Sequence, residues 1–391
     1  MLVDISRLLD RAARGRLPTG VDRVVLGYLE RFGGRARALV QKGGWRRILG
    51  ATHSQELFGL LLQPPPDFAR RMRGAIARAC LPPWPEQDAQ GAVALHLGQA
   101  GLEKPGFADW IKRTRQTPVF CIYDLIPITH PEYCRAGEDA KHAERIRVML
   151  ECGAGLVAIS HETLSDFRAH AERLKLPLPP AVVAPLAPAP LVFKENKAPA
   201  LAAPYFVALG TIEPRKNHLL LLNVWRELAG RLGANTPKLV VLGQRGWECE
   251  QVVDMLERCA VLKPHVLEVP HCTDAELAGW LQNARALLFP SFTEGYGMPL
   301  VEAFSVGTPV VASDLPVFKE IAGDVPDYLS PIDGVGWMQA VLDYSQDGSP
   351  RRSAQLRRIE GYEVPNWNDH FSAVETLLDR ISAGTSSARV A

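Results

Sequence analysis

Short apolar runs alternate with longer amphipathic segments along the whole chain. This alternation is typical of a parallel sheet covered by helices on both faces. In the first half, a helix is predicted over 140–151, and the hydroxyl of Ser160 is predicted to cap the next helix. The strands predicted in this half span 36–40, 92–97, 119–123, 155–159 and 181–184.

The same alternation restarts after a Pro- and Ala-rich stretch, 178–204, which is typical of a semi-rigid crossover between domains. The strands predicted beyond it span 205–209, 238–242, 266–269, 286–289 and 309–312. The helices predicted between them span 219–232, 248–258, 274–283 and 299–305. The pattern predicts an α/β protein with two Rossmann-like, doubly wound domains, residues 1–195 and 200–365.

Ligands of doubly wound sheets bind beyond the carboxyl ends of the strands, so both domains are predicted to direct functional loops into a shared cleft. No G-x-G-x-x-G motif follows any predicted strand. Its absence argues against a dinucleotide-dependent oxidoreductase.

Composition narrows the class further. The seven cysteines are odd in number, scattered and without a C-x-x-C pair, which argues against a disulfide framework or a zinc ribbon and favours a cytoplasmic protein. The first residues lack the apolar core of a signal peptide, so the mature chain is expected to start here. Residues 1–118 carry 19 Lys and Arg against 10 Asp and Glu, which fits either a solvated basic surface or a face that meets an anionic one.

The densest candidate chemistry lies in the stretch 289–304, FPSFTEGYGMPLVEAF, where a Gly-rich loop leads from a strand into a helix. Pro299 suits the first position of that helix. Free amides at Met298, Leu300 and Val301, with the helix dipole, would bind a diphosphate without a metal. The loop residues predicted to accompany them around the donor are Gly295, Tyr296 and Gly297, and the two glycines would let the backbone approach the ligand.

Two glutamates, Glu294 and Glu302, flank this anion site. A carboxylate beside a diphosphate is unfavourable unless it accepts hydrogen bonds from hydroxyl groups. The pair therefore favours a ligand that carries a sugar, a ribose or both. Alternatively, Glu302 simply stabilises the start of the helix.

The two glutamates resemble the E-x7-E signature of the retaining glycosyltransferases of family 4, which have the GT-B fold, and the block 206–320 resembles their donor domain. The resemblance implies that Glu294 contacts the transferred sugar and Glu302 the ribose. It also implies that a closing helix, 367–384, returns to pack on the first domain.

Upstream, LGTIEPRKN at 209–217 joins a strand to a helix. Family members carry a basic residue here that grips the donor phosphates, which points to Arg215 and Lys216. Such cations can neutralise a leaving nucleoside diphosphate. Thr211 stands where many relatives have arginine, which leaves Arg245 as a possible helper. The alternative is that the two basic residues are solvated charges.

On the acceptor side, the loop 18–24 resembles the family loop that approaches the donor phosphate and the acceptor, with Gly20 and Arg23 as its candidates. The alternative is an ordinary turn and helix start.

The stretch 120–132 resembles the H-D-L-I-P pattern of mannosyltransferase-like members that assemble surface polysaccharides, with Tyr123 in place of the histidine. Asp124 follows a predicted strand and is positioned for the cleft. His130 either compensates for the missing histidine or is a surface residue, and His96 is predicted to be structural.

Together the residues and the resemblance predict a retaining, metal-independent glycosyltransferase without a cofactor, in which Glu294, Asp124 and Lys216 are catalytic. The expected reaction moves a hexose, with GDP-mannose the favoured donor, to a saccharide acceptor, lipid-linked as in the resembling enzymes. No nucleic acid partner is expected. The alternatives are an epimerase or hydrolase on the same fold, or a non-catalytic subunit that binds nucleotide sugars.

The segment 67–79 has Phe68, Met72, Ile76 and Ala79 at helical spacing among several arginines. It favours either a basic helix lying on an anionic membrane surface or a helix packed on the core with its arginines in water. Combined with the resemblance, it predicts a protein that attaches reversibly to the inner face of the cytoplasmic membrane.

Overall fold

The computed structural model describes residues 1–16, 18, 20–79, 81, 89–188, 191, 201 and 204–387. The chain forms two compact units. The first comprises Met1–Leu125, Asp139–Leu186 and Trp367–Ala391, and the second comprises Ile126–Glu138 and Ala187–Asn366. The boundary predicted between 195 and 200 lies outside the described residues.

Among the described residues, the first unit contains a seven-stranded sheet with the strand order β3-β2-β1-β4-β5-β6-β7. All neighbouring strands are parallel except β2 and β3, which form an antiparallel hairpin. The strands are β1 (Leu2–Asp4), β2 (Arg37–Lys42), β3 (Trp45–Ile48), β4 (Val93–His96), β5 (Thr117–Ile122), β6 (Gly155–Ala158) and β7 (Ala181–Val183).

Helices connect these strands, and the labels follow chain order. The first unit holds α1 (Ser6–Ala13), α2 (Gly20–Phe32), α3 (Ala51–Leu62), α4 (Phe68–Ala79), α5 (Phe107–Thr114), α7 (Glu138–Cys152), α8 (His161–Leu174) and α16 (Trp367–Ser387). The Ser160 hydroxyl accepts a hydrogen bond from the Thr163 amide, so the predicted cap of α8 is confirmed. Helix α16 belongs to the first unit, where its His370 ring contacts the Ala184 carbonyl and the Tyr28 hydroxyl.

The second unit contains a parallel sheet whose described strands have the order β10-β9-β8-β11-β12-β13. The strands are β8 (Tyr205–Leu209), β9 (Lys238–Leu242), β10 (Val266–Val269), β11 (Leu287–Phe289), β12 (Val310–Ser313) and β13 (Asp327–Leu329). The helices are α6 (Ile126–Thr129), α9 (His218–Leu232), α10 (Glu250–Arg258), α11 (Asp274–Gln282), α12 (Met298–Ser305), α13 (Pro316–Ala322), α14 (Gly334–Ser345) and α15 (Pro350–Glu360).

The core of the second unit lies between its sheet and helices α9 and α14. Trp225 of α9 and Trp337 of α14 are completely buried in it, and each indole N–H donates to a backbone carbonyl, of Pro237 and Ser330 respectively. Burying large aromatic rings contributes strongly to stability, and the carbonyl partners remove the cost of burying the indole N–H. This packing fixes the strands whose carboxyl ends carry the candidate site.

The arginine-rich helix α4 is packed on the first unit. Met72 and Ala75 are fully buried on its inner face, whereas its arginines are exposed. Arg70 and Arg71 pair with Asp67, and Arg78 pairs with Glu56. Of the two alternatives for this segment, the structure shows the helix packed on the core with its arginines exposed. None of the described helices is long and apolar enough to cross a membrane.

Candidate active site

Two loops meet at the carboxyl edge of the second sheet, because β8 and β11 are parallel neighbours. The loop after β8 ends in a tight turn, Pro214–Lys216, followed by Asn217 with a left-handed backbone (φ 56°). The Asn217 side chain donates to the carbonyls of Pro290 and Pro331, at 3.1 and 2.8 Å. Asparagine tolerates this conformation well, so one residue both ends the turn and ties the two loops together.

A buried cluster of four charged side chains lies where these loops meet. Glu294 is 2.5 Å from Lys216 Nζ through one oxygen and 2.5 Å from Arg215 Nη1 through the other. The Ser291 hydroxyl also donates to Glu294, at 2.8 Å. Glu213 completes the cluster 2.6 Å from Arg215 Nε. Charge-assisted contacts of this kind are strong and fix the geometry of the side chains.

The environment sets the charge of each member. Burial alone would raise the pKa of Glu294, but the charges of Arg215 and Lys216 outweigh it and lower that pKa to about 2. Burial lowers the pKa of Lys216 and raises that of Glu213. Glu294 is therefore a firmly ionised carboxylate at neutral pH, whereas Glu213 is the member that takes up a proton most readily.

The family resemblance implies that Arg215 and Lys216 contact the donor phosphates and that Glu294 contacts the sugar, as separate contacts. The structure brings all three into one ion-paired cluster. Lys216 is only 8% exposed and lies 4.9 Å from the centre of the Phe289 ring, so the alternative of a solvated charge is wrong for it. Gly210 makes room for it: its φ is 137°, and a Cβ there would lie 3.3 Å from Lys216 Cε.

The start of α12 differs from the prediction. The helix begins at Met298, so Pro299 occupies its second position. The amides of Leu300 and Val301 are not free, because both donate to the Gly297 carbonyl, at 2.9 and 3.4 Å. Only the Met298 amide of the three has no acceptor among the described residues. The predicted three-amide anion site is reduced to that amide and the helix dipole.

Gly297 is required for a reason other than ligand approach. Its φ is 128°, and a Cβ there would lie 2.9 Å from the Phe318 ring. Tyr296 is buried beside it, and Glu302 is buried in the first turns of α12. Gly295 lies in the loop that leads into this helix, next to Glu294.

Arg245 is paired with carboxylates outside the cluster. Its guanidinium is exposed and binds Glu268 through two nitrogens, both at 2.8 Å, and Glu257 through a third contact. These two hydrogen-bonded carboxylates raise the pKa of Arg245. A donor phosphate would have to compete with both glutamates for it.

A segment from the first half of the sequence, Ile126–Glu138, belongs to the second unit. Tyr133 stacks on Phe292, with ring centres 5.3 Å apart and planes 6° from parallel, and the Trp247 indole N–H donates to the Tyr133 carbonyl. The His130 ring also stacks on Tyr133, with ring centres 6.0 Å apart. The Phe292 amide in turn donates to the Arg215 carbonyl, so this stack supports the loop that carries Glu294.

We expect the Tyr133→Ala variant to bind a nucleoside diphosphate about two- to tenfold more weakly, because an aromatic pair contributes about 0.5–1.5 kcal/mol beyond its buried area. Tyr133→Phe keeps the ring and serves as the matched control. Calorimetric titration of both variants measures the effect. Equal affinities for the two variants would contradict a role of the stack in holding the loop.

The first-half candidates Tyr123 and Asp124 follow β5 in the first unit. The Tyr123 hydroxyl donates to the Leu97 carbonyl at 2.8 Å, and burial raises its pKa well above the usual value, so it is held as a neutral hydrogen-bond donor. The Asp124 backbone carbonyl lies 3.0 Å from His142 Nε2. His96 is fully buried and stacks on Phe120, in agreement with its predicted structural role.

Gly20 is the first residue of α2, and Arg23 lies in its first turn, partly exposed. Between them, Asp22 is fully buried and lies 2.7 Å from Arg11 Nε and 3.4 Å from Arg7 Nε. Asp22 therefore anchors two arginines of α1. Its role could not be seen in the sequence, because both partners precede it on another helix.

The pH dependence of the free energy of unfolding tests the environment of His218, the histidine next to the cluster. Burial, and then the charge of Lys216, lowers the pKa of His218 from 6.5 to about 3. The unfolded chain takes up this proton below pH 6.5 and the folded chain does not, so the free energy of unfolding should fall by about 2 kcal/mol between pH 7 and 5 from this group alone.

We expect His218→Gln to lose about 2 kcal/mol less than the wild type over that pH range. Urea unfolding at both pH values measures the difference. An unchanged dependence in His218→Gln would contradict a buried, neutral imidazole.

Comparison with known proteins gives the class. Residues 203–347 match the family model described as Glycosyl transferases group 1. The serotype-specific mannosyltransferase WbdA of Escherichia coli is 30% identical over 282 residues, 67% of this chain and 33% of that protein. The O-antigen chain mannosyltransferase RfbU of Salmonella typhimurium is 33% identical over 147 residues, 36% of this chain and 38% of that protein.

Solved structures agree on the fold. HepE from Anabaena in complex with UDP-glucose superimposes with a TM-score of 0.65 at 14% identity, covering 99% of both chains. Sucrose-phosphate synthase from Thermosynechococcus elongatus does so with a TM-score of 0.62 at 15% identity, covering 98% of this chain and 99% of the other. At such identities the likeness shows the fold alone.

These likenesses confirm the predicted fold class: the chain has the GT-B fold, with two Rossmann-like units built on parallel sheets. The resemblance found in the sequence is confirmed as well, since residues 203–347 form a glycosyl transferases group 1 domain. The chain spans about a third of the length of its WbdA relatives.

Proposed function

We propose that the chain is a glycosyltransferase that moves a hexose from a nucleoside-diphosphate sugar to a saccharide acceptor during polysaccharide assembly. The family match of the second unit supports the reaction class. Mannose is the favoured sugar, because the relatives WbdA and RfbU are named as mannosyltransferases and RfbU as one that acts on the O-antigen chain.

The observation that carries the proposal is the cluster of Glu294, Lys216 and Arg215. With Glu213 it contains two carboxylates and two cations, so its charges balance when no ligand is present. A diphosphate adds negative charge. The cluster accepts it only if the two cations give up their contacts with the carboxylates and bind the phosphates instead. Proton uptake by Glu213, whose pKa is raised, would relieve the remaining excess.

The same exchange of partners would leave Glu294 available to bind the sugar. Once the phosphate takes over Lys216 and Arg215, the Glu294 carboxylate needs new donors, and sugar hydroxyl groups supply them. As the glycosidic bond breaks, negative charge grows on the leaving phosphate, and the two cations stabilise it most in that state. Glu302, in the first turns of the neighbouring helix, is the candidate for the ribose hydroxyls.

In this mechanism the protein's own cations stabilise the leaving group, so we propose that no divalent metal is needed. We propose a retaining reaction with attack by the acceptor hydroxyl from the same face, which requires no covalent nucleophile. Asp124 is the candidate acceptor-side residue, and Tyr123 and His130 are its supporting candidates. Gly20 and Arg23 are the candidates in the loop that approaches the phosphate.

The acceptor is proposed to be lipid-linked and the protein to work at the cytoplasmic face of a membrane. The exposed arginines of α4 support a reversible, purely electrostatic attachment, since each basic residue near an anionic leaflet contributes about 1 kcal/mol. Co-sedimentation with anionic vesicles should then be lost at high salt. Salt-resistant binding would point to another mode of attachment.

A transfer assay tests the proposal. The purified chain is incubated with GDP-mannose or with UDP-hexoses, with and without oligosaccharide acceptors, and the products are identified by mass spectrometry. We expect an acceptor-dependent gain of one hexose, best with GDP-mannose and unchanged by EDTA. Sugar release or isomerisation without any acceptor would support the hydrolase or epimerase alternative instead, and loss of transfer in EDTA would contradict the metal-free mechanism.

A further inference from the structure

The first unit contains a cavity of about 720 Å³ that none of the donor-site residues lines. It is open to solvent on one side and is lined by helix α1, the β2–β3 hairpin, α3, α4 and the loop after β4. Its volume falls within the range of about 300–1,000 Å³ that small-molecule sites occupy. The side chains that form its apolar wall include Leu9, Ala13, Val40, Leu49, Leu57 and Ile76.

Five cations, and a single acidic residue, Asp10, also border this cavity. Two of the cations, Lys42 and Lys104, have side chains that are 83% and 53% exposed, which places charge at the solvent side of the cavity. Trp45, another border residue, is 38% exposed. The cations are Arg7, Arg11, Arg16, Lys42 and Lys104.

Most of these cations lie near a carboxylate, but the cations outnumber the carboxylates. Arg7 and Arg11 share the single buried Asp22, and Lys42 lies 3.7 Å from Asp10. Arg16 is exposed and makes no side-chain ion pair with any described residue. An anion at the mouth would therefore meet unbalanced positive charge above an apolar interior.

We propose that this cavity binds a single-chain amphiphile with a phosphate head, such as an alkyl or prenyl phosphate. The chain would fill the apolar interior, where its burial is favourable, and the phosphate would remain at the mouth with Arg16 and the exposed lysines. The amphipathic ring of Trp45 suits the boundary between the two. The inference does not rest on the proposed transfer reaction.

Calorimetric titration of the full chain with hexyl, octyl and decyl phosphate, each below its micelle concentration, tests the proposal. We expect one site per chain, with an affinity that rises about tenfold for every two added methylene groups. Octyl glucoside, which has the chain without the charge, and inorganic phosphate, which has the charge without the chain, should each bind at least tenfold more weakly than octyl phosphate. Equal affinity for hexyl and decyl phosphate, or for octyl phosphate and octyl glucoside, would overturn it.

A pair of variants locates the site. Ala13 is exposed at the cavity wall, so Ala13→Trp should fill the mouth and weaken decyl phosphate binding at least tenfold. Ala77 is an exposed position of α4 outside the cavity, and Ala77→Trp should bind like the wild type. Equal thermal unfolding temperatures confirm that both fold. Unchanged binding by Ala13→Trp, or equal losses in both variants, would show that the amphiphile binds elsewhere.

Discussion

Transfer by the Glu294→Ala variant is expected to fall about 10²–10³-fold in kcat, while nucleoside diphosphate binding stays within a fewfold of the wild type or tightens. Misplacement of the transferred sugar accounts for the lost turnover. Binding is spared because removal of this carboxylate frees Lys216 and Arg215 for the phosphates. Steady-state kinetics and calorimetric titration with GDP measure the two effects separately.

Glu227→Ala is the matched control, since Glu227 is exposed on α9 and pairs with Arg231. That variant should turn over like the wild type. Wild-type turnover in Glu294→Ala would remove Glu294 from the reaction. A large loss of GDP affinity would instead mean that the carboxylate holds the cations in place for the phosphate.

The Lys216→Ala variant should lose both donor affinity and turnover, with kcat/KM reduced about 100-fold or more. A contact to phosphate exists in the bound donor and strengthens as the leaving group gains charge. Folding should suffer as well. Glu294 would keep Arg215 and the Ser291 hydroxyl but lose the cation beside its Oε1, and breaking a buried ion pair costs about 3 kcal/mol or more.

A double variant separates the two consequences. Lys216→Met with Glu294→Gln removes both charges and should recover most of the stability in urea unfolding, because no unpaired buried charge remains. It should not recover transfer. Recovery of transfer by the double variant would mean that the lysine acts only through the stability of the fold.

Much of the fold could be predicted from the sequence, because strands buried on both faces are continuous apolar runs. The predicted limits of β8, β9 and β10 agree with the structure. Three strands have no counterpart among the predicted ranges. β3 reads WRRI, with charged residues at its centre, and β1 (LVD) and β13 (DYL) are only three residues long, so none of them has the apolar run that marks a strand.

The sequence indicated Glu294, Lys216 and Arg215 as candidate site residues, but it did not indicate that they form ion pairs with one another. Glu294 and Lys216 are 78 residues apart in the sequence, and no local pattern indicates that they contact each other. The role of Glu213 was missed for a different reason: its partner Arg215 is only two residues away, but the burial of the pair depends on the folded loop. The acceptor of the Leu300 amide depends on the backbone of Gly297, whose φ of 128° is a property of the folded loop and not of its composition.

The stack of Tyr133 on Phe292 determines which fragment of the chain can be expressed as a separate second unit. The family match covers residues 203–347, and a fragment cut to those limits would lack Ile126–Glu138, although that segment belongs to the same compact unit. Such a fragment would present the Phe292 ring without its stacking partner and the Trp247 indole N–H without the Tyr133 carbonyl. Separate expression of the second unit therefore calls for a chimaera in which a short linker joins 126–138 to the fragment, and a plain truncation should be the less soluble and less stable of the two.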